Sequence, residues 1–309
     1  MSQSPVARAA AAAGPRPSIG PASFASTGTA GTPRPSRRGV APRKLLHTPS
    51  AFVGLLVVLF WIVCAIFWPL IAPYSPNAQD YNSLLTGPSP AHLLGTDQYG
   101  RDVLSRVLAG SREVLILAPA ATLIGLLGGV IVGLATAYYR GWFDEIVMRV
   151  MDAIMAFPII VLSLLVLAVL GSSRLNVILV IAFTYVPLTG RVVRAAALTV
   201  RDLDYVAAAR LRGAGGIAIM LTEILPNISG PIIVEGTVRI GYAVFAAASL
   251  SFIGLGIPPP SPDWGAMIND THIYVRNDPV IVLAPTLAIA SLVVAINLLA
   301  DGLRQAVRA

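Results

Sequence analysis

Glu235 and Arg239 stand four residues apart inside an apolar run. That spacing puts opposite charges on one face of a helix, about 6 Å apart along its axis. A lone charge in hydrocarbon costs about 3 kcal/mol or more, so each needs a partner or water. Either the two close on each other as a structural clasp, or they line a wet path. Other reactive groups are sparse. The single lysine, Lys44, follows no glycine-rich loop, which excludes a phosphate-cradling Gly-x-x-x-x-Gly-Lys arrangement. His47, His92 and His272 are far apart and Cys64 is alone, so neither a metal-ligand spacing nor an internal disulfide is available. No span holds the row of carboxylates that a proton relay needs. The sequence offers no candidate catalytic residue and no candidate metal ligand, and it reads as a non-catalytic chain.

Residues 191–227 are polar and arginine-bearing, and they lie between apolar runs. A chain that only had to turn round would use a few residues here. This stretch carries its own helical pattern from Asp202 to Gly213. Asp202 and Asp204 stand at its start and Arg210 and Arg212 near its end, the order that suits a helix dipole. Leu203, Val206 and Ala207 form one apolar side, which Leu211 extends. Gly213, Gly215 and Gly216 then permit a sharp change of direction. Residues 217–225 resume a helical pattern that ends near Pro226 and Asn227. The result is a helix, a glycine break and a second helix over 202–225. It is either a rigid knob for a soluble partner or an ordinary loop helix lying on a membrane.

The elements that must position these groups are membrane spans. The chain is 56% hydrophobic and only 12% charged, about half the charge of a soluble domain. Apolar segments fall at 51–71, 114–139, 147–170, 175–188, 228–253 and 280–299, each near the length that crosses hydrocarbon as a helix. The fourth is short and extends toward Ala195, with Arg191 and Arg194 snorkelling at its end. The first is too long for the core of a cleavable signal and reads as an uncleaved anchor. Six spans place both termini on one side. The basic N-terminal region, Arg140, Arg149, the 191–212 stretch and Arg304 identify that side as cytoplasmic.

Two segments are expected outside the hydrocarbon. Seven of the 22 basic residues fall in the first 44 positions, among Ala, Pro, Ser and Gly. Residues 1–45 therefore read as a disordered basic cytoplasmic tail that helps orient the first span, with no nucleic-acid role. Residues 46–309 make the membrane domain. On the outer side, 95–113 reads as a turn opening an amphipathic helix, with Val103, Leu104, Val107 and Leu108 on one side and Arg101, Ser105, Arg106 and Arg112 between them. That helix lies at the membrane surface or caps the outer ends of the bundle. The proline-rich stretch 258–262 is a stiff extended connection, followed by Trp264 as an interfacial aromatic and a short helix over 266–274.

Several motifs together resemble one known family, the inner-membrane permease subunits of bacterial ABC importers for dipeptides, oligopeptides and nickel. They are Tyr205-Val-Ala207-Ala-Ala-Arg210-Leu-Arg-Gly213-Ala continuing to Ile224-Leu-Pro226-Asn227, the outer Gly95-Thr-Asp-Gln-Tyr-Gly-Arg-Asp102, Met151-Asp152 with Phe157-Pro158, Leu250-Ser-Phe-Ile-Gly-Leu-Gly256, and Pro262-Asp-Trp-Gly-Ala-Met267. The resemblance covers residues 45–309, and the outer signature is similar to that of the C-type subunit. It implies an all-α polytopic membrane protein of six transmembrane helices with the type I ABC importer permease fold. It also implies the partners: a second homologous permease, two ATP-binding subunits, an extracytoplasmic solute-binding protein, a small peptide substrate and membrane lipid. ATP and Mg would sit on the partner ATPases and no cofactor on this chain. The resemblance assigns ATPase coupling to Asp204, Tyr205, Ala207, Ala208, Arg210, Gly213, Leu225 and Pro226, and an outer-face motif to Gly95, Thr96, Asp97, Gly100, Arg101 and Asp102. Ala207 stands where the family has an acidic residue, with Asp204 three positions earlier. An ion-coupled secondary transporter and a non-transporting scaffold are the competing readings.

Overall fold

The computed structural model describes residues 49–308, so the tail expected over 1–45 lies outside the described residues. The regular elements among the described residues are all helices, joined by loops, of which 72–102 is a long one. Its elements are α1 (Pro49–Ile71), α2 (Val103–Tyr139), α3 (Gly141–Met155), α4 (Ile159–Leu170), α5 (Arg174–Val200), α6 (Asp204–Leu211), α7 (Gly216–Ala218), α8 (Ser229–Phe252), α9 (Trp264–Thr271) and α10 (Val280–Arg308). Five helices are long and apolar enough to cross a membrane, or six spans if the bent pair α3–α4 counts as one.

The boundaries depart from the sequence pattern where hydropathy alone is blind. The expected third span is broken, with α3 and α4 meeting at 85°. Pro158 at the break has no amide to donate and disfavours helix in the residue before it. α3 is also two-faced, with Trp142, Ile146 and Val150 bare on one side and Asp144 and Asp152 on another. α5 runs on to Val200, so 191–227 is not a single loop. Arg191 and Arg194 near its end both have carboxylate partners on α3. Arg191 pairs with Asp152, and Arg194 holds Asp144 in a two-pronged contact at 2.7 and 2.5 Å. Pro226 does not end the helix that follows the glycines. A π turn (Ile219–Ile224) and a 3-10 turn (Leu225–Ile228) carry the chain into α8. Pro226 sits in the opening turn of the 3-10 segment, where a missing N–H is tolerated.

At the other end of the bundle, the helix expected over 95–113, at the membrane surface or capping the bundle, is the first part of α2, which continues unbroken for 37 residues. Arg101, Ser105 and Arg106 are buried and face protein rather than headgroups, while Arg112 stays exposed. The cause is the long loop before α2, which folds over that face and supplies polar partners. Trp264 is likewise not interfacial. It is 0% exposed, donates its indole N–H to the Val107 carbonyl at 2.9 Å and meets the ring of Trp61 edge-on at 4.9 Å.

α2 and α5 share the most extensive helix–helix contact. Gly125, Gly129 and Gly133 recur every four residues on α2, and small residues at this spacing let two backbones approach closely. A Cβ at Gly129 would lie 2.5 Å from the Thr189 Cβ, and one at Gly133 would lie 2.6 Å from the Gly190 carbonyl oxygen. The packed interior falls into two clusters. One joins α1, α2, α4, α5, α8, α9 and α10. The other gathers the ends of α2 and α5 with α6 and the π turn.

The Gly129→Val variant should lower the thermal midpoint of the detergent-solubilised protein, at a cost of about 1–3 kcal/mol for overpacking. Gly215→Ala, where an added Cβ meets nothing within 4 Å, should leave the midpoint where it is.

Candidate functional site

α6 is eight residues long, too short to hold its shape alone in water. Tertiary contacts order it. Val206 is 0% and Ala209 1% exposed, and both pack with Leu134, Ala137, Val193, Ala197, Ile219 and Ile224. Leu203, Ala207 and Leu211 point the other way and are bare. The single apolar side expected from the sequence is therefore two sides. One anchors the helix and the other faces outward, with Leu211 90% exposed.

Both ends of α6 are fixed. At its C-terminus the Ala214 N–H reaches the Ala209 carbonyl at 3.2 Å and the Gly213 N–H reaches Arg210 at 2.9 Å. These two bonds form the Schellman closure, which needs a left-handed residue, and Gly213 supplies it with φ +78°. Just before the N-terminus, Arg201 donates to the Ala137 carbonyl at the end of α2 at 2.8 Å and pairs with Asp202 at 3.1 Å. Arg210 reaches back to the Arg201 carbonyl at 3.2 Å and lies 5.5 Å over the Tyr138 ring. Tyr205 is half-buried. Burial pushes its hydroxyl above the usual tyrosine range, with the Glu223 carboxylate adding to the effect. Asp204 and Ala207 are exposed and Ala208 is half-buried. Leu225 packs on the same cluster from the 3-10 turn, and Pro226 beside it is exposed. Sequence reasoning gave no role to Arg201, Val206 or Ala209 as anchors. The three-residue spacing of Val206 and Ala209 is the local signal. The carbonyl that Arg201 caps is 64 residues away and left no trace in the pattern.

The outer motif folds into itself. Gly95 and Gly100 take φ of +76° and +71°, and Thr96 and Asp102 form an antiparallel bridge. Thr96 donates its hydroxyl to the Ser83 carbonyl. The Asp97 carboxylate accepts from the Tyr99 and Arg101 amides at 2.9 and 3.0 Å and from Arg101 Nε at 2.6 Å. Arg106 Nε lies 3.8 Å from it. Arg106 donates to the Pro76 carbonyl at 3.0 Å, and Arg101 reaches Asp270 in the last turn of α9 at 3.7 Å. Asp102 caps α2 by accepting from the Ser105 amide at 2.8 Å, and its other oxygen lies 2.9 Å from His92 Nδ1. A carboxylate here also faces the positive end of the α2 dipole. Asp263 caps α9 through the Ala266 amide at 3.0 Å. Burial pushes the Asp263 carboxyl above the usual range, against the hydrogen bonds that lower it.

Between the two ends, Arg239 and Glu235 are joined at 2.7 and 2.6 Å. The guanidinium lies 5.6 Å from the Tyr185 ring and 5.9 Å from the Tyr242 ring, an electrostatically favourable place for a cation. Among the described residues no group of three or more His, Cys, Asp or Glu is placed to hold a metal ion.

Residues 125–309 match the family described as the binding-protein-dependent transport system inner membrane component. Residues 36–88 match the N-terminal transmembrane domain of oligopeptide transport permease C. The glutathione transport system permease protein GsiD of Pectobacterium atrosepticum is 41% identical over 265 residues, which is 85% of this chain and 88% of that protein. The di/tripeptide transport system permease protein DppC of Pseudomonas aeruginosa is 39% identical over 84% of this chain and 88% of its own length. A chain of the methionine ABC transporter MetNI, solved in inward-facing conformations, superposes with a TM-score of 0.54 at 18% identity. It covers 65% of this chain and 96% of its own length, a likeness of fold.

The Asp97→Ala variant would leave Arg101 and Arg106 buried without their shared carboxylate. It should destabilise the fold by about 3–5 kcal/mol and open the 72–102 loop to protease. Asp270→Ala, at the half-exposed edge of the same cluster, should cost under about 1 kcal/mol. Thermal unfolding and limited proteolysis of the purified protein read both.

Proposed function

This chain belongs to the binding-protein-dependent transport system inner membrane component family, and from that premise we propose that it is the C-type permease of an ATP-driven peptide importer whose ATPases seat on α6. The observation that carries the docking role is the division of α6 into an anchored side and a bare side. A loop helix with no partner would turn Leu211 inward or replace it with a polar residue. Here Leu203, Ala207 and Leu211 form a small apolar strip between Asp204 and Arg210, suited to a groove with a charged rim. Ala207 opens a close approach in the middle of that strip. Asp204 provides the one carboxylate on the docking face of α6.

In this reading α6 lies on the cytoplasmic side, together with both termini. Arg140, Arg149, Arg191, Arg194, Arg201 and Arg212 gather toward that end, as the positive-inside rule requires. The chain pairs with a second homologous permease, and the substrate crosses between the two without covalent chemistry. Two ATP-binding subunits hold ATP and Mg, and an extracytoplasmic solute-binding protein delivers the cargo. The relatives are named for glutathione and for di- and tripeptides, and the cargo proposed here is a small peptide of that size. The Gly95–Asp102 motif serves as a structural cap under the solute-binding protein rather than as a substrate contact.

Replacing an exposed leucine costs the isolated fold within about 0.5 kcal/mol. Leu211→Glu should therefore leave membrane insertion and thermal stability intact. Recovery of the ATPases with the permease pair should fall about tenfold, and ATP-dependent uptake in reconstituted vesicles should fall with it. Gly213→Val, which strains the left-handed closure, should do the same. Unchanged recovery and uptake in both variants contradicts docking on α6, and uptake that follows an ion gradient without ATP hydrolysis contradicts the importer.

A further inference from the structure

A groove of about 680 Å³ runs between α1 and α2 over α8 and α10. Its walls include Ile62 and Ile66 of α1, Ile116 of α2, Ile240 of α8 and Ile296 of α10, with Trp68 and Arg112 toward one end. Ile66 is 62% exposed, and Ile62 and Ile116 are bare as well. The mouth therefore opens sideways from the bundle, toward what is hydrocarbon in a bilayer. Trp68 and Pro69 stand in the last turn of α1, which ends at Ile71. That is the level where a span meets the headgroups and where tryptophan collects. Along α1 the groove extends from Val58 to Pro69, about 16 Å at the helical rise.

Arg112 has no hydrogen bond or ion pair among the described residues. The adjacent carboxylate, Glu113, is taken by Arg174 at 2.6 Å. Residues 1–48 contain no Asp or Glu to supply another. A guanidinium at the hydrocarbon edge without a counter-charge is costly, and a phosphate oxygen pair matches its fork. We propose that the groove holds one acyl chain of an anionic phospholipid whose phosphate sits on Arg112. The lipid then acts as an intrinsic part of the α1–α2 packing, in the leaflet on the side of the Gly95–Asp102 cap. The site rests on the fold and on membrane embedding, not on the identity of the cargo or on docking at α6.

The test is quenching of tryptophan fluorescence by brominated acyl chains in the assembled permease–ATPase complex. Dibrominated phosphatidylglycerol is compared with dibrominated phosphatidylcholine, and the Trp68 contribution is isolated by difference from Trp68→Phe. Phosphatidylglycerol should quench that component with about fivefold higher apparent affinity, the ratio for one basic residue at an anionic surface. Arg112→Gln should remove the preference and Arg112→Lys should retain it. Equal quenching by the two lipids overturns the proposal. A preference that survives Arg112→Gln overturns it too, as does the absence of any Trp68-dependent quenching, which would show the groove covered by a neighbouring subunit.

Discussion

The burial of Val206 and Ala209 against the ends of α2 and α5 is the contact on which the proposed mechanics depend. A helix of two turns has no stiffness of its own. Force applied to its bare side reaches the spans only if its other side moves as one body with them. Three further ties act in the same direction: Arg201 on the Ala137 carbonyl, the Gly213 closure, and the continuous helical path from Gly216 through the π and 3-10 turns into α8. α6 is thereby connected to α2 and α5 on one side and to α8 on the other. α2 and α5 are themselves held backbone to backbone by the glycine row, so movement of α6 is movement of the bundle.

The charges obey one constraint. Several of those set along the spans or buried in the outer loop are held in ion pairs. Asp144 and Asp152 take Arg194 and Arg191 and pin the two-faced α3 against α5. Glu235 takes Arg239 between two tyrosine rings. Asp97 takes Arg101 and stands near Arg106, which closes the loop before α2. Such pairs gain little over apolar packing but are expensive to break, so they fix which helices are neighbours more than they raise stability. Arg112 has no ion pair among the described residues, and its place at the mouth of an apolar groove makes lipid the natural source of an anion.

Apolar length and basic asymmetry made the spans legible in the sequence, because hydrocarbon thickness leaves few alternatives. α6 was legible from its acid-first, arginine-last order and from Gly213. Which side of it is buried was not, since Val206 and Ala209 differ little in type from Leu203 and Ala207, and the choice is made by Val193, Ala197 and Ile224 far away in sequence. The burial of Arg101, Arg106 and Trp264 was hidden for the same reason: their partners at Pro76, Asp270 and Val107 are remote or are backbone atoms. The break at Pro158 was visible as a proline, yet its 85° turn depends on the ion pairs that hold α3. Gly125, Gly129 and Gly133 carried a packing signal in plain view, which hydropathy does not use.

Rigid coupling of α6 to its own bundle is tested most directly by a distance within one chain. Spin labels at Leu211 on α6 and at Leu175 at the far end of α5, both exposed, would be read by double electron–electron resonance in the full complex after Cys64, the only cysteine, is replaced. Between the nucleotide-free and ATP-trapped states the distance should change by no more than about 2 Å, while the distance between the Leu211 labels and the second permease changes. A shift of about 5 Å within the chain, one helical turn, would mean that α6 slides on the bundle and would contradict the account.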